Sequence, residues 1–448
     1  MTNIVLLNRG RQYCIFNTED FSLFKINEFS YKLLNHFIKY QNIAQTASKF
    51  NISENELITT LSVIGFNAHI HSQRDNNIIK HNRKIERITL HISNDCNLRC
   101  KYCYANGGSY GKVRNMMTPS TALQFVDYCC KNFDTIENIV FFGGEPFLNC
   151  SVIELVCKSF QEKYNHGLLK YMPKFGAITN GTIISDNVFN VIQKYFSFIT
   201  ISADGPKEIN DLNRVSQNGK GSFDTIDRFI RQISRFNNLH IGIESTFTYQ
   251  HIKLGYSREM IRNFFIDRYG ISADIIDEIS LDEENMGTDN MQKPEDSIWF
   301  NSILSTIVNK KSESKCQILH STFAISTDGQ IYPCHMNIGD GIKPVASIWG
   351  SINDIDKNLE NNTTYSLKNN PTCLNCWAKN LCGGCSRIWF FDKIKNTYSD
   401  IPNKNKCTEF KRIAEQALLK ICEIRTTPTK WQKLLYSINP QRNFLITP

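Results

Sequence analysis

At roughly 150 residues per domain, a chain of 448 residues suggests about three domains. Its 41% hydrophobic content excludes disorder for most of the length, and a net charge of +8 (51 Lys and Arg against 43 Asp and Glu) is too diffuse to indicate nucleic-acid binding. The first nine residues hold too short an apolar run for a signal peptide, and no run reaches the length of a membrane span, so a cytoplasmic protein with no membrane contact is expected. In a reducing compartment the 16 cysteines, several of them clustered, point to metal ligands or catalytic groups rather than disulfides.

Residues 1–80 read as a small α+β domain. Short apolar runs at 4–7, 13–16 and 23–26 predict strands. Three amphipathic segments follow: one carrying Tyr31, Leu34 and Phe37, one around Ala44 and Ala47, and one carrying Leu57, Leu61 and Ile64. Ser53 with Glu56 three residues on predicts a capping box at the start of the third helix. Strands followed by helices give a winged-helix-like unit, but no Lys/Arg stripe marks the third helix, which argues against nucleic acid as a partner.

A polar, basic stretch at 69–87 suits a linker, placing a boundary near residue 80. In the second unit, 81–305, strand-like runs at 88–92, 139–142, 175–179, 198–202 and 241–247 alternate with helical stretches. That alternation predicts an α/β fold of parallel strands with crossover helices, a partial β/α barrel. Its functional loops should follow the C-terminal ends of the strands.

Directly after the first of these strands comes Cys96-Asn97-Leu98-Arg99-Cys100-Lys101-Tyr102-Cys103. Three thiolates on one loop can hold three irons of a four-iron, four-sulfur cluster and leave the fourth iron open. A three-cysteine zinc knuckle is the alternative, but no His stands at ligand spacing to complete a tetrahedron.

This C-x3-C-x2-C loop resembles that of the radical S-adenosylmethionine (SAM) superfamily. The resemblance implies that SAM binds the open iron and that its reductive cleavage yields a 5'-deoxyadenosyl radical. Tyr102 matches the aromatic residue before the last cysteine. Gly143-Gly144-Glu145-Pro146, after the second strand, is similar to the glycine motif that receives the methionyl amine. There, glycines let backbone carbonyls approach an ammonium and Glu145 offers a counter-charge. Asn180, in Thr179-Asn180-Gly181, and Ser202, in Ser202-Ala203-Asp204-Gly205-Pro206, end the third and fourth strands; they are candidates for the ribose or methionyl carboxylate, with ordinary turn chemistry as the alternative. Arg214 resembles the arginine that pairs with that carboxylate, a surface arginine being the alternative.

The remaining unit, 306–448, carries Cys316 and Cys334, then Cys373, Cys376, Cys382 and Cys385, then Cys407. The pattern resembles the SPASM extension of radical enzymes, which holds two auxiliary four-iron clusters; without the upstream triplet, a pair of zinc ribbons would be the reading. The resemblance implies an outer cluster on Cys373, Cys376, Cys382 and Cys407 and an inner one on Cys316, Cys334 and Cys385. Three clusters in all are expected. The last gap holds only Gly383 and Gly384, one residue fewer than the usual pattern. The inner cluster has three evident ligands, leaving an open iron unless Cys422 or a non-cysteine group completes it. Cys14, Cys129, Cys130, Cys150 and Cys157 read as small buried residues.

With these motifs in place, the N-terminal unit resembles the peptide-recognition element of ribosomal-peptide maturases. Such a module binds an extended leader peptide as an added strand on its sheet edge. The resemblance implies a radical SAM maturase that installs a thioether or carbon–carbon crosslink in a ribosomally made precursor peptide, with a flavodoxin or ferredoxin as electron donor. A sulfatase-maturase-like oxidase making formylglycine is the alternative enzyme. It is disfavoured because His335 follows Cys334 where those enzymes carry an aspartate. A non-catalytic leader-binding iron–sulfur scaffold is the alternative of another kind.

Overall fold

A computed structural model describes residues 3–66, 84–277, 298–310, 321–339, 342–355, 370–382, 385–392, 395 and 397–438. Cys316, Gly383, Gly384 and the proposed boundary near residue 80 lie outside the described residues.

The first apolar runs form an antiparallel sheet, β1 (Ile4–Arg9), β2 (Gln12–Asn17) and β3 (Leu23–Ile26), in the order β1-β2-β3. Helices α1 (Glu28–Tyr40), α2 (Ile43–Phe50) and α3 (Glu54–Val63) follow. Asn27, Asn42 and Ser53 cap them by accepting a backbone N–H of the first turn, a donor with no partner inside the helix. At Ser53 the capping box is complete, Glu56 accepting the Ser53 N–H at 2.8 Å.

One face of this sheet, through Ile4 and Ile15, packs on Leu34, Phe37, Leu57 and Leu61. The other face, through Leu7, Cys14, Phe16 and Leu23, packs on the helices Ile298–Asn309 and Lys404–Arg425. Burial on both faces explains why Tyr13-Cys14-Ile15-Phe16 is an unbroken apolar run rather than an alternating one. The N-terminal unit is therefore half of a shared core, not a free-standing module.

The second sheet is built from parallel strands β4 (Lys84–Ser93), β5 (Thr135–Gly143), β6 (Lys174–Thr179), β7 (Phe196–Ser202), β8 (His240–Phe247) and β9 (Ala273–Asp277). On the other side of β4 lies β10 (Thr322–Ile325), also parallel, and then the antiparallel β11 (Gln330–Tyr332) and β12 (Ala346–Ser347). The order β12-β11-β10-β4-β5-β6-β7-β8-β9 leaves β12 and β9 as edges among the described residues, so the barrel is partial, as expected. The unit drawn from residue 306 onward is not separate from the barrel, because β10 extends the barrel sheet.

Along β4, Ile88, Leu90 and Ile92 join the core shared with α4 (Pro119–Asn132) and α5 (Cys150–Asn165). The two-residue period of a strand then turns Thr89, His91 and Ser93 to the opposite, concave face. Cys129, Cys150 and Cys157 are buried in the helix-side core, and Cys130 packs against it. Among the described residues, no helix is long and apolar enough to cross a membrane.

Candidate active site

The concave face ends at the C-terminal tips of β4 to β8, where the loops meet. The cysteine loop is pinned by its backbone to the stretch after residue 212: Arg99 N–H donates to Val215 O at 2.6 Å and Lys101 N–H to Asn213 O at 3.0 Å. This brings Arg214 against the loop. The Cys96 sulfur accepts the Leu98 N–H at 3.4 Å and an Asn180 Nδ2 hydrogen at 3.5 Å, bonds that favour a thiolate. Burial opposes them and pushes the Cys96 thiol up to about 12, with Glu145 adding to the rise. Cys100 is raised by burial too, while Arg214 beside it pulls the other way.

The two glycines after β5 are required first by packing. A Cβ on Gly143 would stand 2.1 Å from Ser93 O, and one on Gly144 would stand 2.2 Å from Asp95 O. Gly143 also has a φ of +130°, a left-handed conformation that favours glycine. Gly144 N–H donates to Ser93 O at 2.8 Å and Glu145 N–H to Asp95 O at 2.9 Å, so the β5 loop lies backbone to backbone on the cysteine loop. Gly143 O accepts the Tyr110 hydroxyl at 3.0 Å.

Glu145 is wholly buried, and its carboxylate is occupied within the chain. It accepts Thr179 Oγ1 at 2.8 Å, Asn180 N at 2.8 Å and Phe147 N at 3.0 Å, tying the tip of β5 to the tip of β6. Burial raises its pKa to about 7 against the pull of these three donors. Instead of offering a free counter-charge, Glu145 braces two loops. Asn180 also faces inward on the loops: its Nδ2 donates to Asn97 Oδ1 at 2.9 Å and its Oδ1 accepts Thr182 N–H at 2.9 Å. Ser202 stands at the end of β7, partly buried, in register with Glu244 of β8.

Arg214 is not a surface arginine: only 5% of it is exposed. Its Nη1 donates to the Tyr102 hydroxyl and lies 3.6 Å from Asp204 Oδ1, and its Nε is buried without a partner among the described residues. Tyr102 in turn donates to the Asp204 carboxylate. In the sequence Asp204 sits in Asp-Gly-Pro, which reads as a turn; its full burial next to a basic side chain shows only in three dimensions.

Burial raises the Cys373 and Cys407 thiols; Cys376 lies close enough to add to the rise at both, and Cys407 adds to it at Cys373. Cys382 packs on the same core. Cys334 lies elsewhere, its sulfur 3.6 Å from His335 Nδ1. Cys422 does not complete the inner set: it is buried in the core shared by β2 and the helix Lys404–Arg425, hydrogen-bonded to Cys14.

Among the described residues no group of three His, Cys, Asp or Glu side chains forms a metal-ion site as it stands. The fit of a cluster rests on the donor set: three cysteines on one loop, N–H···S bonds to Cys96, and an unpartnered buried guanidinium nitrogen beside Cys100 suited to a carboxylate. That set fits a four-iron cluster carrying SAM.

A parallel half-barrel with a three-thiol loop on its first strand and a glycine cradle on its second is the frame of a radical SAM protein. The chain carries a domain of the radical SAM superfamily, which matches residues 90–249. It is 24% identical to the radical SAM cyclopropyl synthase TigE of Paramaledivibacter caminithermalis, over 90% of this chain and 92% of that one. It is 25% identical to a cysteine-type anaerobic sulfatase-maturating enzyme of Clostridium perfringens, over 74% of this chain and 96% of that one. In fold it is similar to SuiB of Streptococcus suis in the crystal structure with precursor peptide SuiA: TM-score 0.51, 14% identity, 91% of this chain and 100% of that one.

Proposed function

We propose that this protein modifies a ribosomally made precursor peptide, installing a thioether or carbon–carbon crosslink between side chains. The observation that carries it is the shared core: the N-terminal three-stranded sheet packs on the helix that bears Cys407 and against the segment of Cys373, Cys376 and Cys382. In this reading the sheet receives the leader and is joined to the body that would carry the auxiliary clusters. SuiB of Streptococcus suis, similar in fold, is seen bound to its precursor peptide SuiA, and that supports a peptide substrate here.

Bound cluster and SAM supply a 5'-deoxyadenosyl radical that removes a hydrogen atom from the substrate. The chain's own residues do the rest. Cys96, Cys100 and Cys103 hold the cluster. Arg214, fixed by Asp204 and Tyr102, directs its unpartnered Nε to the methionyl carboxylate. Gly143 and Gly144 let the loops close to backbone contact, and Glu145 locks them. Cys373, Cys376, Cys382 and Cys407 would hold an outer auxiliary cluster and Cys316, Cys334 and Cys385 an inner one, which would supply an acceptor for the second electron; a flavodoxin or ferredoxin would supply the first.

We take β3, one of the two edges of this sheet, as the edge that receives the leader. Asn17 N–H donates to Ser22 O, and Phe24 lies opposite Ile15, so Leu23 and Lys25 turn their backbone groups away from β2. Arg425 Nη1 already holds Leu23 O at 3.2 Å, which leaves Lys25 as the pairing point for an incoming strand. Co-expression with the peptide encoded by a short open reading frame beside the gene tests the proposal. The expected product is lighter by two hydrogen atoms per crosslink, with one 5'-deoxyadenosine per bond; gain of oxygen or loss of a larger fragment would refute it.

A further inference from the structure

One histidine in the barrel has no role in the site described so far. His91 is 0% exposed, and both of its ring nitrogens are buried without a hydrogen-bond partner among the described residues. Buried polar groups are nearly always paired, because an unpaired one forfeits its bonds to water and receives nothing in return. A residue wanted only for packing at this place would be a leucine or a phenylalanine. The unpaired imidazole therefore marks a place where partners arrive from outside the chain.

Its position says where those partners lie. His91 is on the concave face of β4, two residues before Ser93, whose carbonyl touches the glycine cradle. Its ring lies 5.0 Å from that of Tyr110, the residue whose hydroxyl holds Gly143 O. On the other side, its ring lies 5.2 Å from Phe142, and Phe142 lies 5.0 Å from His335, the neighbour of Cys334. His91 thus stands midway along a wall of rings that runs from the SAM cradle to the loop of the inner auxiliary ligand. A side chain that gives up a hydrogen atom at one end and an electron at the other lies along this wall.

We propose that His91 is a substrate-contacting residue, whose ring nitrogens hydrogen-bond the backbone amides of the core peptide as it passes between the SAM cradle and the Cys334 loop. This rests on the peptide-maturase reading above and names the contact that reading lacks. A neutral imidazole offers one donor and one acceptor, and a peptide backbone offers both complements. Burial keeps the ring neutral, with His335 and Lys112 adding to the effect, so it is suited to amides rather than to a carboxylate. Phe142, only partly buried, packs against the imidazole, so an arriving peptide exchanges that ring contact for hydrogen bonds while Tyr110 keeps its hold on Gly143 O.

The test compares His91→Phe, which keeps an aromatic ring without donors or acceptors, with His91→Asn, which keeps one of each. The probe is the co-expressed peptide that the wild type modifies. For H91F the expected result is wild-type iron content, wild-type SAM cleavage without peptide and unchanged affinity for the leader. The crosslink should form with kcat/KM about ten- to a hundredfold lower, the scale of hydrogen bonds lost to buried groups. More 5'-deoxyadenosine should appear per crosslink, because a poorly held substrate lets the radical be quenched elsewhere. H91N should recover most of the loss. Wild-type kcat/KM and coupling in H91F would overturn the proposal, and equal losses in H91N and H91F would assign the ring to packing and overturn it as well. Absence of any modified peptide from the wild type would instead refute the peptide-maturase reading, and this proposal with it.

Discussion

Tyr102 donates its hydroxyl hydrogen to Asp204, with both carboxylate oxygens 2.9 Å away, across the mouth of the barrel. The pair joins the cysteine loop to the tip of β7, and Arg214 closes the triangle against both. Because Asp204 is wholly buried, its charge is tolerable only with these partners.

Removing Asp204 leaves the Arg214 guanidinium buried and uncompensated. Asp204→Ala should cost about 3–5 kcal/mol of stability by chemical denaturation. Tyr102→Phe removes two bonds to charged groups, the one given to Asp204 and the one received from Arg214, each worth about 1.5–3 kcal/mol. The two losses should be strongly non-additive in a double-mutant cycle, since the residues share one network. Additive losses would mean that the three side chains act separately.

Glu145 gives the protein a pH signature. Its folded-state pKa is raised from 4.5 to about 7, so between these values the folded chain holds a proton that the unfolded chain has released. Stability from this group is complete below pH 4.5 and is lost as pH rises toward 7. Glu145→Gln does not titrate, and its amide cannot accept all three donors. It should be less stable by about 1–3 kcal/mol above neutrality, and it should lack the wild type's decline across that window. Thermal melts of both proteins from pH 5 to 8 check this; parallel curves would show that the carboxyl does not titrate there.

The shared core predicts that the first 80 residues cannot be removed cleanly. Phe16 is 0% exposed between the sheet and the helix Lys404–Arg425, and Phe16→Ala should cost about 3–5 kcal/mol. Deleting residues 1–80 exposes Phe300, Leu304 and Leu418 and should lower the melting temperature of the remaining protein, rather than leaving an intact enzyme deaf to its leader. Leader recognition is better tested with Lys25→Pro, which removes the outward N–H on β3. It should weaken leader affinity, read by fluorescence anisotropy, while iron content stays unchanged.

Cys422 faces Cys14 in that same core, so Cys422→Ala should retain the wild-type iron content on anaerobic reconstitution. Cys373→Ala, Cys376→Ala and Cys407→Ala should each lose one cluster of about three, seen in iron analysis and low-temperature electron paramagnetic resonance. Loss of iron in Cys422→Ala would return that residue to the inner ligand set.

The sequence by itself determined the chemistry-bearing stations. The triplet Cys96, Cys100 and Cys103 at a strand end, Gly143-Gly144 at the next, and the alternation that makes a parallel half-barrel are local features. Each depends on spacing within a few residues or on the period of a strand. The capping box at Ser53 is of the same kind. Only the tertiary structure decided how the stations are wired, because burial and partners come from residues distant in the chain. Glu145 became a brace when Thr179 and Asn180 folded onto it, and Arg214 became a buried donor when Tyr102 and Asp204 enclosed it. Cys422 moved from possible ligand to core when the helix Lys404–Arg425 laid it on Cys14, and β10 joined the barrel by pairing with β4. His91 reads in the sequence as one residue of an apolar strand. That neither of its nitrogens finds a partner among the described residues is visible only in the folded chain.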